Sequence, residues 1–365
     1  MPDSSLTVQV PGKLMVAGEF AVLEKYQKLV VMAVNRFVYA TIRDSRVNRL
    51  TLESFDLHDM VWAYESNNVH VKTDDARVRF VAEAMTTVYT YLQEHDITPD
   101  PFHLVIRSEL DDASGKKYGL GSSAAVVTSV VAAMLERFWP EKSSDTLIFK
   151  LAAISHVKTQ GSGSGADVAA SSYGGWLEYA SFQADWLWDA YQQFTRITEL
   201  VNADWPYFFV QPVTLPDTIH LCIGWTGSPA STTKLVDKIS ALNATDPALY
   251  QQFLTDSAAA VHTFLEGIRY ADGSLIFDGT RQNRRALAKV GQDAGVDVET
   301  PLLTTLCDLA EAHGGAGKSS GAGGGDCGIA FMPSKEQADQ LMKAWQEAGI
   351  QPLAIEPNAA GATIL

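Results

Sequence analysis

Lys117-Tyr118-Gly119-Leu120-Gly121-Ser122-Ser123-Ala124-Ala125 sets a glycine turn between the extended segment PFHLVIRSEL, residues 101–110, and an apolar helix expected from Ala124 to Trp139. The physics of that junction is anion binding. Glycines let a backbone approach phosphate oxygens, exposed N–H groups and the helix dipole favour negative charge, and a first-turn hydroxyl is within reach of a metal ion. The spacing is not the G-x-x-x-x-G-K-[ST] of P-loop nucleotide binders. No strand–G-x-G-x-x-G–helix unit with a following acidic residue marks a dinucleotide fold. Taken alone, the stretch equally describes a tight turn followed by a small-residue packing face.

Further glycine loops flank it. Near the N-terminus Lys13 follows Pro11-Gly12 and precedes a Gly18-Glu19 turn; GSGSGAD ends in Asp167; and KSSGAGGGDCGIAF begins at Lys318. Between them the periodicity predicts strands at Leu6–Val10 and Leu29–Ile42, with turns at Pro11-Gly12 and at residues 24–27. Helical spacing of Val78, Val81, Ala82, Met85, Val88 and Leu92 predicts a helix over 76–92, and DTLIFKLAAISHVKTQ a second, ending at the GSGSGAD loop. Tryptophans and prolines at 185–215 break the pattern and suggest a lobe boundary. Beyond it, helices are expected at 247–270, 281–294 and 334–348, with strand GIAFM and a terminal strand.

With 365 residues the chain exceeds the roughly 250–300 that one core usually holds, so two lobes are expected, 1–200 and 201–365. The 46% hydrophobic and 19% charged content suits a folded globular protein. A net charge of -15 gives a surface that repels nucleic acid and anionic lipid, so neither is expected as a partner. An acidic protein that binds phosphorylated ligands must gather its few cations in the pocket, which directs attention to Lys116, Lys117, Lys234, Arg284, Arg285 and Lys318. Three cysteines without framework spacing suggest a reducing compartment, so the expected location is cytoplasmic. The N-terminal residues lack the pattern of a signal peptide, and residues 124–139 are too short to span a bilayer.

PGKLMVAGEFAVL, GLGSSAAV and GAGGGDCGIAF resemble, in order, the three motifs of the GHMP kinases, the superfamily of galactokinase, homoserine, mevalonate and phosphomevalonate kinases. The resemblance runs from about residue 8 to about residue 332. It implies an α+β fold of two lobes, an N-terminal ATP-binding lobe like ribosomal protein S5 and a ferredoxin-like C-terminal lobe, with the active site between them. It further implies ATP and Mg²⁺ as cofactors and a small-molecule substrate. Lys13 would neutralise charge on the transferring phosphoryl group, Ser123 would approach Mg²⁺, and Asp167 would orient the acceptor or pair with Lys13. Each alone reads as a surface lysine, an N-capping serine and a turn aspartate.

By the same resemblance, ATP would lie against Lys116, Lys117, Gly119, Leu120, Gly121, Ser122, Ser123 and Ala124. The substrate would meet Lys13, Ser162, Gly163, Ser164, Gly165, Ser231, Thr232, Lys318, Ser319, Gly321 and Gly323. Within the superfamily, SGKKYGLGSS, HVKTQGSGSGADVAASSYGG, GWTGSPASTTKLV and the segment from Glu299 to Phe331 are similar to bacterial-type phosphomevalonate kinases. That points to 5-phosphomevalonate as the substrate and a monomer or homodimer as the working unit. Mevalonate kinases usually carry a metal-binding Glu where His156 stands here, eleven residues before Asp167, which leaves the second metal ligand unassigned. A kinase with a hydroxyl acceptor, and a GHMP-fold sensor without catalysis, are the alternatives. The presence of Lys13, Ser123 and Asp167 together counts against the sensor.

Overall fold

Alternating and β-branched residues in the first forty positions form two long paired strands, β1 (Ser5–Ala17) and β2 (Lys28–Asp44). The computed structural model describes residues 5–110, 118–227 and 232–365, without the side chain of Thr232. Pro11-Gly12, expected as a turn, lies inside β1 as a bulge where the register to β2 shifts. A bulge tolerates the missing N–H of proline and bends the strand. At Gly12 a Cβ would stand 2.8 Å from the Leu120 carbonyl, so this glycine lets β1 touch the glycine turn before α2.

The first sheet continues with β3 (Arg49–Leu52), β4 (Leu57–Glu65) and β5 (Asn68–Val71). Helix α1 (Arg79–Gln93) then buries Val81, Met85, Val88 and Leu92, the face its spacing predicts. Strand β6 (Phe102–Ser108) leads to α2 (Ser122–Phe138), α3 (Asp145–Gln160) and α4 (Ala166–Tyr173). Helix α2 packs against β1 and β2 on one side and α1, α3 and α4 on the other, which is why its residues are small and apolar almost all round. Strand β7 (Trp176–Ala180), helices α5 (Ala184–Gln193) and α6 (Ile197–Asn202), and strand β8 (Phe209–Val213) complete this lobe.

The second lobe runs β9 (His220–Trp225), α7 (Thr232–Thr245), α8 (Pro247–Tyr270), α9 (Gly273–Asp293), α10 (Pro301–Ala312), β10 (Ala316–Ser319), β11 (Cys327–Met332), α11 (Lys335–Glu347) and β12 (Gln351–Pro352). Its antiparallel sheet has the order β10-β11-β9-β12, the split βαβ arrangement of ferredoxin-like domains. Two of its helices, α7 and α10, were not read from the periodicity. Sheet membership also divides the chain differently from a cut at residue 200. Strand β8 belongs to the first sheet, and the terminal strand β13 (Thr363–Ile364) returns to pair with β1.

That returning tail crosses Gly174, whose φ is +73° and where a Cβ would lie 2.1 Å from the carbonyl carbon of Ala360. Gly174→Ala is therefore expected to lift the tail from β1. Its cost, by comparison with a strained backbone, is about 1–3 kcal/mol. Thermal unfolding and protease cleavage within residues 354–365 measure it; an unchanged melting temperature with an uncut tail refutes it.

The lobes also interlock through the first glycine motif. Phe20 and Ala21 are buried among Ile239, Leu242, Tyr250, Phe253 and Leu254 of α7 and α8. Phe20 holds φ 60°, ψ -50°, a conformation costing about 1–3 kcal/mol. Burial of its ring returns about 1.5–3 kcal/mol. The two are of one size, so the surrounding packing is needed to hold the turn.

Candidate active site

Between the lobes lies a cleft of about 620 Å³. It is lined by residues of β1 and of the glycine turn before α2, by the loop between α3 and α4, and by α7 and the third glycine loop. Gly119 and Gly121 hold φ of +80° and +78°, so the loop needs glycine there. Gly121, not a serine, occupies the N-cap position of α2, and among the described residues no side chain caps that helix. The positive end of the α2 dipole therefore opens on the cleft, with the first-turn N–H groups available to an anion.

Lys13 runs beneath this loop. A Cβ on Gly121 would meet Lys13 Cγ at 2.9 Å. The Lys13 N–H donates to the Leu120 carbonyl at 2.9 Å, and its Nζ donates to the Gly119 carbonyl at 2.9 Å. Strand, bulge and loop thus fix the ammonium at both ends of its side chain. Burial lowers the Lys13 pKa below the ordinary 10.5, while Asp167, Asp326, Cys327 and Glu19 oppose that fall. Asp167 is in the first turn of α4 and borders the cleft with Lys13.

Asp326 completes the acidic surroundings of Lys13 and was not singled out from the sequence. Its Oδ2 lies 2.8 Å from where a Cβ of Gly119 would be. Its carbonyl accepts from the N–H and hydroxyl of Thr226. The signal was there to find, an acidic residue directly after the glycine run Gly323-Gly324-Gly325. What brings it to Lys13 is the pairing of β11 with β9, which is not local. The adjacent Cys327 thiol is pushed up to about 12 by burial, so it is no nucleophile. All three cysteines are free and buried.

Ser123 faces the cleft from the first turn of α2, and its Oγ lies 3.3 Å from Nε2 of the buried His156 on α3. Burial holds His156 below the usual imidazole range, against the pull of Asp167. The loop between α3 and α4 is braced from behind: the Tyr179 hydroxyl donates to the Ser164 carbonyl at 2.6 Å. A Cβ on Gly165 would meet Phe182 at 2.4 Å. Ser181 and Gln183, also absent from the sequence reading, line the cleft beyond that loop.

Lys13, Gly119, Leu120, Gly121, Ser122, Ser123, Ser162, Gly163, Ser164, Asp167 and Gly321 all border this one cleft. Others expected there do not. Ala124 is buried within α2, Gly165 backs on Phe182 and Tyr179, and Gly323 closes on the Val298 carbonyl. Lys318 and Ser319 are buried in β10, where Lys318 pairs with Glu19 in place of a ligand. Arg284 is held by Glu299 and Asp308, while Arg285 and Lys234 are exposed. Lys116, Lys117 and Ser231 lie outside the described residues, as does the Thr232 side chain.

Residues 79–175 match the N-terminal domain of the GHMP kinases and residues 271–351 their C-terminal domain. A phosphomevalonate kinase of Streptomyces sp. (strain CL190) is 33% identical, with 96% of each chain covered. The chain belongs to the GHMP kinase family. Among solved structures, a Lin0012 protein from Listeria innocua is 39% identical at a TM-score of 0.93, covering 99% of both chains. A Streptococcus pneumoniae phosphomevalonate kinase in complex with phosphomevalonate and AMPPNP is 27% identical at a TM-score of 0.84, covering 96% of this chain and 99% of that one. The GHMP fold has its two lobes and interlobe cleft here, and this member is a kinase.

Proposed function

We propose that this GHMP kinase transfers the γ-phosphoryl group of ATP to the phosphate of 5-phosphomevalonate, giving 5-diphosphomevalonate and ADP, in the cytoplasm. The observation that carries the reading is the match along nearly the whole chain to phosphomevalonate kinases, one of them in complex with phosphomevalonate and AMPPNP. The cleft supports it by placing Lys13, Asp167, Asp326 and the α2 N-terminus around one space. An oxygen of the acceptor phosphate attacks Pγ, and the Pγ–O bond to ADP breaks. A phosphate monoester has its second pKa near about 6, so the attacking oxygen is already deprotonated at neutral pH. The chain's task is then positioning and charge stabilisation. Lys13 and the α2 N–H groups meet the charge on the moving group, and Asp167 holds Lys13 and the acceptor in line.

Among the described residues no group of three His, Cys, Asp or Glu forms a metal cage. That suits Mg²⁺, which keeps waters and phosphate oxygens in its shell and takes one or two protein ligands. Ser123, whose hydroxyl faces the cleft on one long contact to His156, would hold it. The ion, when bound, neutralises phosphate charge. Ser123→Ala is expected to raise the Mg²⁺ concentration needed for half-maximal activity while costing about 1 kcal/mol of stability for the lost hydrogen bond, because Gly121 and not Ser123 caps the helix. A magnesium titration matching wild type refutes the metal role. The function itself is tested by a coupled ADP-release assay: turnover with phosphomevalonate and little with mevalonate is expected, and the reverse preference overturns the substrate.

A further inference from the structure

Glu19 and Lys318 meet at the junction of the lobes, Lys318 fully buried and Glu19 3% exposed. Lys318 Nζ lies 2.5 Å from Glu19 Oε1 and donates to the Ser319 carbonyl at 2.5 Å. The same Glu19 oxygen accepts the Gly321 N–H at 3.3 Å, and Glu19 Oε2 accepts from Asn283 Nδ2 at 3.1 Å. Asn283 in turn accepts the Gly18 N–H at 3.0 Å. The turn after β1, helix α9, strand β10 and the third glycine loop therefore converge on one carboxylate, and that carboxylate borders the cleft.

Stability alone does not account for such a pair. Exchanging a buried ion pair for neutral groups is often without cost, whereas removing one partner leaves an uncompensated charge. The cleft supplies a reason. Two phosphorylated ligands must enter beside Glu19, and a bare carboxylate there would repel both. Lys318 cancels that charge from behind, without itself reaching the ligands.

We propose that Lys318 is a positioning residue that neutralises Glu19 and ties the third glycine loop to the first-motif turn, so that the cleft admits polyanions. The inference rests on the reading of the cleft as the seat of two phosphorylated ligands. Lys318→Met is expected to raise KM for MgATP and its Kd by about tenfold or more, with a smaller change in kcat. In Glu19→Gln/Lys318→Met the charge is gone from both sides and the glutamine oxygen still accepts from Asn283. KM and Kd are expected to return to within about threefold of wild type, a non-additive cycle. A merely structural lysine would not restore ligand affinity in that way.

An unchanged KM in Lys318→Met, or a double variant no better than the single, overturns the proposal. If Lys318→Met does not fold, the double variant decides: folded with near-wild-type KM supports the role, and unfolded or still impaired refutes it. A wild-type protein inactive on phosphomevalonate would overturn the substrate reading alone, since the MgATP Kd cycle is read without an acceptor.

Discussion

Replacing Lys13 by methionine is expected to cut kcat by about 10²-fold or more, the loss typical of one preorganised donor to developing charge, while MgATP and acceptor Kd change little. The geometry separates those two quantities. Nζ is anchored on the Gly119 carbonyl beneath the glycine turn, where on the proposed reading charge on the moving phosphoryl group accumulates, and interactions made mainly in the transition state appear in kcat. Methionine keeps the length and packing under Gly121 and removes the charge together with the hydrogen bond to the Gly119 carbonyl. The pH dependence carries the sign of its environment. Burial lowers the Lys13 pKa, so the alkaline limb of kcat/KM is expected below the ordinary 10.5, with activity lost as pH rises through it. Asp326 opposes that fall, so Asp326→Asn is expected to move the limb to still lower pH. Steady-state kinetics on folded protein checks both. A Lys13→Met enzyme of near-normal kcat, or a limb that Asp326→Asn leaves in place, sinks the assignment.

What was legible in the sequence is what is encoded locally. The turn before α2 needs glycines at positive φ directly before a helix of small residues, so Gly119, Gly121 and Ser123 announce themselves within a few positions. Helix α1 is readable because apolar residues repeat at one-turn spacing along it, and α3 because a long, largely apolar run ends at a glycine loop. Helix α10 carried an unused signal, Thr300 as N-cap with Pro301 at the first helical position. The bulge at Pro11-Gly12 was read as a turn, because the same dipeptide serves both, and only the pairing with β2 decides.

The misplaced site residues share a different cause. A lysine next to a glycine loop reads as a ligand cation whether it is exposed or buried, and Lys318 is buried because β10 pairs with β11 and packs against α9 and α10, with Glu19 of the first-motif turn against its ammonium. Its partner Glu19 stands 299 residues away in the chain. Likewise Ser123 and His156 meet through the packing of α2 on α3, and Asp326 reaches Gly119 through the second sheet. Motifs mark the local half of this site; its electrostatics are assembled by long-range pairing.

Asp167 distinguishes a phosphate acceptor from a hydroxyl acceptor, and Asp167→Asn is expected to lower kcat by about 10–10²-fold through misplacement, the scale of a positioning defect, without erasing the acidic limb of the pH profile. A general base for a hydroxyl would behave otherwise, since its replacement removes the only proton acceptor and abolishes transfer across the accessible pH range. With a phosphate acceptor the acidic limb belongs to the substrate, whose second ionisation lies near about 6, so activity rises with pH through that value in wild type and variant alike. Two contacts support the positioning role proposed for Asp167. It adjoins Lys13 below Gly121, where a Cβ would lie 3.5 Å from Asp167 Cβ, and its own Oδ1 accepts the Val168 N–H at 2.9 Å, which fixes its rotamer. Asparagine keeps that acceptor and loses the charge that favours protonated Lys13. The alkaline limb should therefore move down in pH while the acidic limb stays. The pH–rate profiles of both proteins with phosphomevalonate, and with mevalonate as control, measure this. Disappearance of the acidic limb in Asp167→Asn would assign that ionisation to Asp167 and make it the base; turnover of mevalonate alone would replace the acceptor with a hydroxyl.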